Sequence, residues 1–151
     1  MKTIYPELTE SFREYMRLLI QLHELNAAKL SESHEGEALR ERMDDIWSVL
    51  SEEEILLARG FSADLSDLFD FLFPRTIGIK PKDPQFQTAF RSYLLAFEQG
   101  NILESLNILR EWKEYFQPSY LCSLRCEIWR KAGEFDIAQF IQDSAASIQN
   151  G

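Results

Sequence analysis

The sequence predicts an all-α fold of antiparallel helical hairpins, with seven to eight helices. Three observations predict it. Apolar residues recur at offsets of three, four and seven through most of the chain, the period of a helix with one face in a core. Only 6 glycines and 5 prolines among 151 residues argue against a linker or a disordered chain. Polar capping residues stand at several of the junctions.

The first run, "SFREYMRLLIQLHEL", places Phe12, Met16, Leu19 and Leu22 on one stripe with Tyr15 beside them. The second, "ALRERMDDIWSVL", repeats the pattern with Leu39, Met43, Ile46, Trp47 and Leu50. Between them "KLSESHEGE" is polar and contains a glycine, so it reads as the connector of a hairpin. "SEEEILLARGFSADLSDLFDFLF" then opens on Ser51 and Glu54, the spacing of a capping box. Gly60 predicts a break there, and Ser62 the cap of a further helix running to Phe73. The triple Glu52-Glu53-Glu54 suits the positive end of a helix dipole, since neighbouring carboxylates on a helix point apart and make a poor metal site.

Residues 74–84, "PRTIGIKPKDP", hold three prolines and three cations. They read as a sub-boundary, within a single helical domain, between an acidic N-terminal half and a C-terminal half of hairpins. Arg75, Lys80 and Lys82 make an exposed connector or, alternatively, an anion-binding loop. Pro84 after Asp83 has the form of a helix start, with Asp as N-cap.

The last third carries a quasi-repeat. Gly100 and Gly133 lie 33 residues apart. On that alignment Leu95 meets Ile128, Ile102 meets Phe135, Ser105 meets Ala138 and Ile108 meets Ile141. Each glycine ends one predicted helix and the next begins within two residues. Pro118 opens another helix, and a helix over 101–116 would bury Ile102, Leu106, Leu109, Trp112 and Phe116. Two helix–turn–helix units in series follow from this.

On these residues, 86–151 resembles the tetratricopeptide repeat (TPR) family. Cys126 stands at the small position of the first helix and Trp129 at a large aromatic one. Gly133, Phe135, Ala138 and Ala145 match the turn glycine, the aromatic after it and two small helix-contact positions. Pro118 falls near the repeat-ending proline. Arg125 replaces a leucine, Gln142 an aromatic and Tyr93 a small residue. The resemblance implies TPR-like stacking and a partner-binding groove. Its groove positions would be Phe90, Leu94 and Phe97 in one unit, and Tyr120, Ser123, Glu127 and Arg130 in the other. Another protein or a peptide is the implied partner. Alternatively, Phe90, Leu94 and Phe97 pack against the N-terminal helices. A second stretch, 38–65, resembles a segment of bacterial proteins with no assigned activity, implying bacterial origin and nothing about chemistry.

Charge and composition exclude further classes. The net charge is −9, and all of it lies in residues 1–73, with 7 Lys+Arg against 16 Asp+Glu. Such a half repels phosphate backbones, so no nucleic acid is expected as ligand. It reads as a solubilising surface or as an acidic face for a basic partner, in the manner of an immunity or antitoxin-type inhibitor. No apolar run suggests a membrane span or a secretion signal, and two cysteines four apart in "CSLRC" make no disulfide framework, so a cytoplasmic location is expected.

No catalytic residues, metal ligands or cofactors are expected. His23 has no second histidine one turn on, His34 falls in the connector, and Cys122 with Cys126 supply two ligands where a structural zinc needs about four. An enzyme with a carboxylate-lined cleft stays open, as does a homodimer hidden behind 3 Trp and 11 Phe.

Overall fold

A computed structural model describes residues 8–30, 32–70 and 84–150. Seven α-helices and one 3-10 turn make up these residues, with no strand among them. The chain divides into two compact units, one of residues 6–69 and one built on 70–151.

In the first unit, α1 spans Glu10–Ala27, α2 His34–Trp47 and α3 Glu52–Asp70. Helices α1 and α2 pack together through Phe12, Met16 and Leu19 on one side and Leu39, Met43 and Ile46 on the other, all buried. Tyr15 meets Trp47 with ring centroids 5.3 Å apart, and Arg42 donates two hydrogen bonds to Glu14, at 2.9 and 3.2 Å. The connector is shorter than "KLSESHEGE" suggests. Ser33 caps α2 by accepting from the Gly36 N–H at 3.2 Å, so His34 opens the helix and Gly36 is buried in its first turn. A serine hydroxyl in reach of an orphan N–H outweighs a glycine's weak propensity.

The expected break at Gly60 does not occur. Helix α3 runs through it, and Ser62 caps nothing. A glycine inside a helix costs about 0.5–1 kcal/mol, whereas Leu57, Phe61 and Leu65, spaced four apart across it, are all 0–1% exposed. Each such burial contributes about 1.5–3 kcal/mol, so one continuous stripe prevails and the described residues hold seven helices. The part of that run beyond Asp70, with Asp83, Arg75, Lys80 and Lys82, lies outside the described residues.

Helix α1 ends in a Schellman turn: the Lys29 N–H bonds to the Asn26 carbonyl at 3.0 Å and the Leu30 N–H to that of Leu25 at 2.7 Å. The turn needs a left-handed residue, and Lys29 supplies it at φ +62°. A side chain there costs about 1–2 kcal/mol. Lys29→Gly is therefore expected to raise the unfolding free energy by about 1 kcal/mol, read as a higher urea midpoint with unchanged slope.

In the second unit, α4 spans Pro84–Glu98, α5 Ile102–Glu111, α6 Pro118–Lys131 and α7 Phe135–Asn150. Helix α4 packs on α5, α5 on α6, and α6 on α7. Pro118 is the first residue of α6. Helix α5 stops earlier than the expected 116: Trp112 is its C-cap, and a 3-10 turn, Lys113–Tyr115, leads to buried Phe116. Between α6 and α7 the small residues do meet, for Cys126 Sγ lies 3.2 Å from the Ala138 carbonyl oxygen.

Gly100 and Gly133 occupy the same structure. Each has positive φ, +73° and +84°, at the C′ position of a Schellman turn. The Gly100 N–H bonds to the Phe97 carbonyl and the Asn101 N–H to that of Ala96, at 3.1 and 2.9 Å. The second turn repeats this from Gly133 to Arg130 and from Glu134 to Trp129, both at 2.9 Å. Burial follows the alignment only in part. Ser105 and Ala138, and Ile108 and Ile141, are buried in both copies, but Leu95 is 56% exposed where Ile128 is 2%, and Phe135 is 67% exposed where Ile102 is 3%. Backbone turns repeat locally, whereas burial depends on what covers each helix: α5 lies against both α4 and α6, and α6 against both α5 and α7.

Candidate functional site

The candidate site lies on α4 and α6. Along α4, Phe86, Phe90, Tyr93 and Phe97 form a row of rings with successive centroids 6.1, 5.6 and 6.1 Å apart. Offsets of three and four put them on one face. Phe116, just ahead of α6, closes on the start of the row, 5.3 Å from Phe86 and 6.2 Å from Phe90. At the other end, Lys131 sits over the Phe97 ring at 4.2 Å and donates to its carbonyl at 2.7 Å. Between these ends Glu127 and Tyr120 act on the Tyr93 phenol; burial first, then those two neighbours, push its pKa up. Glu127, which influences the Tyr93 phenol, stands 34 residues after it, and Lys131, which covers the Phe97 ring, stands 34 after Phe97. One constant step along both helices means that α4 and α6 point the same way, side by side.

Six of the seven expected groove residues fall into two groups. Phe90 and Phe97 are half-buried within the ring row, which accounts for their apolar character without any visitor. Leu94 is 45% and Tyr120 48% exposed, and Glu127 and Arg130 are exposed as well. Arg130 is held by a hydrogen bond to Gln142 on α7.

Ser123, Glu127 and Arg130 share a groove of about 320 Å³ between α6 and α7. Its floor comes from Ser119, Cys122 and Cys126 of α6, and its far wall from Gln142, Ala145 and Ala146 of α7. The small side chains make the hollow. Sequence reading did not single out Ser119 or Ala146, because small residues carry no chemical signal until two helices bring them together. Arg125, aligned with a leucine in the repeat pattern, is 1% exposed.

Other chemistry is sparse. Cys122 and Cys126 are buried free thiols, and burial, partly offset by Arg130, pushes the Cys126 pKa up, which suppresses the reactive thiolate. His23 Nε2 lies 3.2 Å from Ser62 Oγ, and burial lowers the pKa of its ring. Among the described residues no group of three or more His, Cys, Asp or Glu is placed to hold a metal ion. No described helix is long and apolar enough to cross a membrane. No family model, curated protein or solved structure matches the chain. The site stands on its own geometry.

Proposed function

We propose that the chain is a non-enzymatic helical protein-interaction module, acting in a cytoplasm, whose α4–α5 and α6–α7 hairpins stack in TPR-like fashion. It binds another protein or a peptide on the open side of α4 and α6. The observation that carries this reading is the constant 34-residue step from Tyr93 to Glu127 and from Phe97 to Lys131. Helices set parallel in that register offer neighbouring, equivalent faces. Leu94 and Tyr120 supply apolar and aromatic contact, and Glu127 and Arg130 supply charge, a composition suited to a peptide or helix.

Affinity capture from the native cell tests it, with wild type beside a Leu94→Glu, Tyr120→Glu double variant. Both positions are about half exposed, so the variant is expected to fold and to lose the specific partner. A folded variant that keeps every wild-type partner defeats the reading.

A second reading is favoured by α2, where Glu35, Glu37, Glu41, Asp44 and Asp45 are all exposed. It makes the chain an acidic inhibitor that blocks a basic protein through residues 1–73. Such binding weakens steeply with salt, since exposed charges are screened beyond about 8–10 Å at 0.1–0.15 M. An affinity unmoved by salt rejects it.

A further inference from the structure

We infer that two copies of this chain pair through α7, each inserting Phe135 into the other's α6–α7 groove. The inference goes beyond the proposed function and does not depend on it.

The argument starts from the two hairpins. The residues lining the groove stand 33 positions after residues of the first hairpin. There, the counterparts of Ser119, Ser123, Cys126 and Ala145 are Phe86, Phe90, Tyr93 and Trp112, joined in one ring cluster. The segment that follows covers that cluster, through Phe116 at one end and Lys131 at the other. Ile102 is buried at 3% in the same hairpin, beside Ile128 and Lys131 of α6. In the second hairpin the ring cluster is replaced by a hollow, and the counterpart of Ile102 is Phe135, 67% exposed. The last hairpin thus has both a hole and an uncovered bulky ring, at the positions its predecessor fills and buries.

Hole and ring are matched on one stripe. Phe135, Gln142 and Ala146 are separated by seven and eleven residues, which returns each to the same side of a helix. Phe135 and Ala146 are about 16 Å apart along the axis at 1.5 Å per residue. In an antiparallel pair of α7 helices with a two-fold axis between residues 140 and 141, Phe135 faces Ala146 of the other copy, and Gln139 faces Gln142. This is the self-complementarity that a closed two-fold interface requires. The stripe Phe135, Gln139, Gln142, Ala146 carries no charge, and the groove that takes the ring is bordered by one residue of each sign, Glu127 and Arg130. Amide side chains opposite one another can exchange hydrogen bonds.

Light scattering of the full chain over roughly 1–200 µM, a range spanning typical dissociation constants of specific dimers, tests the inference. The wild type is expected at twice its 17.7 kDa mass. Phe135→Ser and, separately, Ala146→Glu are expected at the single mass with unchanged helical circular dichroism, because both positions are exposed. A Gln139→Lys, Gln142→Glu variant, which sets opposite charges across the seam, is expected to stay dimeric. A wild type that remains monomeric at the highest concentration overturns the inference. So does a folded Phe135→Ser or Ala146→Glu protein that dimerises as the wild type does. Neither result touches partner capture through Leu94 and Tyr120.

Discussion

Replacing Glu54 by Ala is expected to lower the unfolding free energy by about 3 kcal/mol. One carboxylate serves two helix starts. Its Oε1 accepts from the Ser51 N–H at 2.9 Å while the Ser51 hydroxyl accepts from the Glu54 N–H at 3.2 Å, closing the capping box of α3. Its Oε2 accepts from the N–H and the hydroxyl of Thr9, at 2.9 and 2.8 Å, and that same hydroxyl caps α1 through the Phe12 N–H. Glu54 is 2% exposed, and removing it takes the acceptor from three donors at once, the N–H groups of Ser51 and Thr9 and the Thr9 hydroxyl. Burial pushes its pKa up, but the hydrogen bonds from Ser51 and Thr9 together outweigh this and hold it below the usual 4.5. The stabilisation is therefore complete above that value and fades as pH falls through the lowered one. Urea titrations should show the gap between wild type and Glu54→Ala narrowing below about pH 4.5, and a constant gap would contradict the assignment.

Phe86→Ala carries the other large effect, about 3–5 kcal/mol. Phe86 is 4% exposed and touches Phe90, Trp112, Tyr115 and Phe116, with the Tyr115 ring stacked at 5.0 Å. Its loss opens a cavity where the start of α4, the turn after α5 and the approach to α6 meet. Thermal unfolding should show the second unit melting earlier, with near-ultraviolet circular dichroism reduced before the transition. A drop below about 1 kcal/mol would mean that the cluster collapses around the gap.

What was legible in the sequence was local. A Ser51–Glu54 capping box, a proline at the start of α6 and two turn glycines each act through a few neighbouring atoms, and residue type dictates them. Gly60 misled because its local rule is worth less than the stripe of Leu57, Phe61 and Leu65 that crosses it. At Lys29 the chain takes a left-handed turn that nothing in its residue type announces, since the Schellman bonds stabilise the turn despite the side chain. The groove between α6 and α7 was hidden for a different reason. Serine, cysteine and alanine are unremarkable in a sequence, and only the comparison of one folded hairpin with the other turns them into a hollow. Phe90 and Phe97 were recognisable as important, but their rings serve the packing of α6 on α4, and Leu94 and Tyr120 are the residues left open.

Hydrogen exchange of the chain with and without its captured partner tests the central claim most directly. The account predicts slowed exchange in α4, residues 84–98, and α6, residues 118–131, with α1 and α2 unchanged. Protection confined to residues 10–47, with α4 and α6 exchanging as in the free protein, would contradict it.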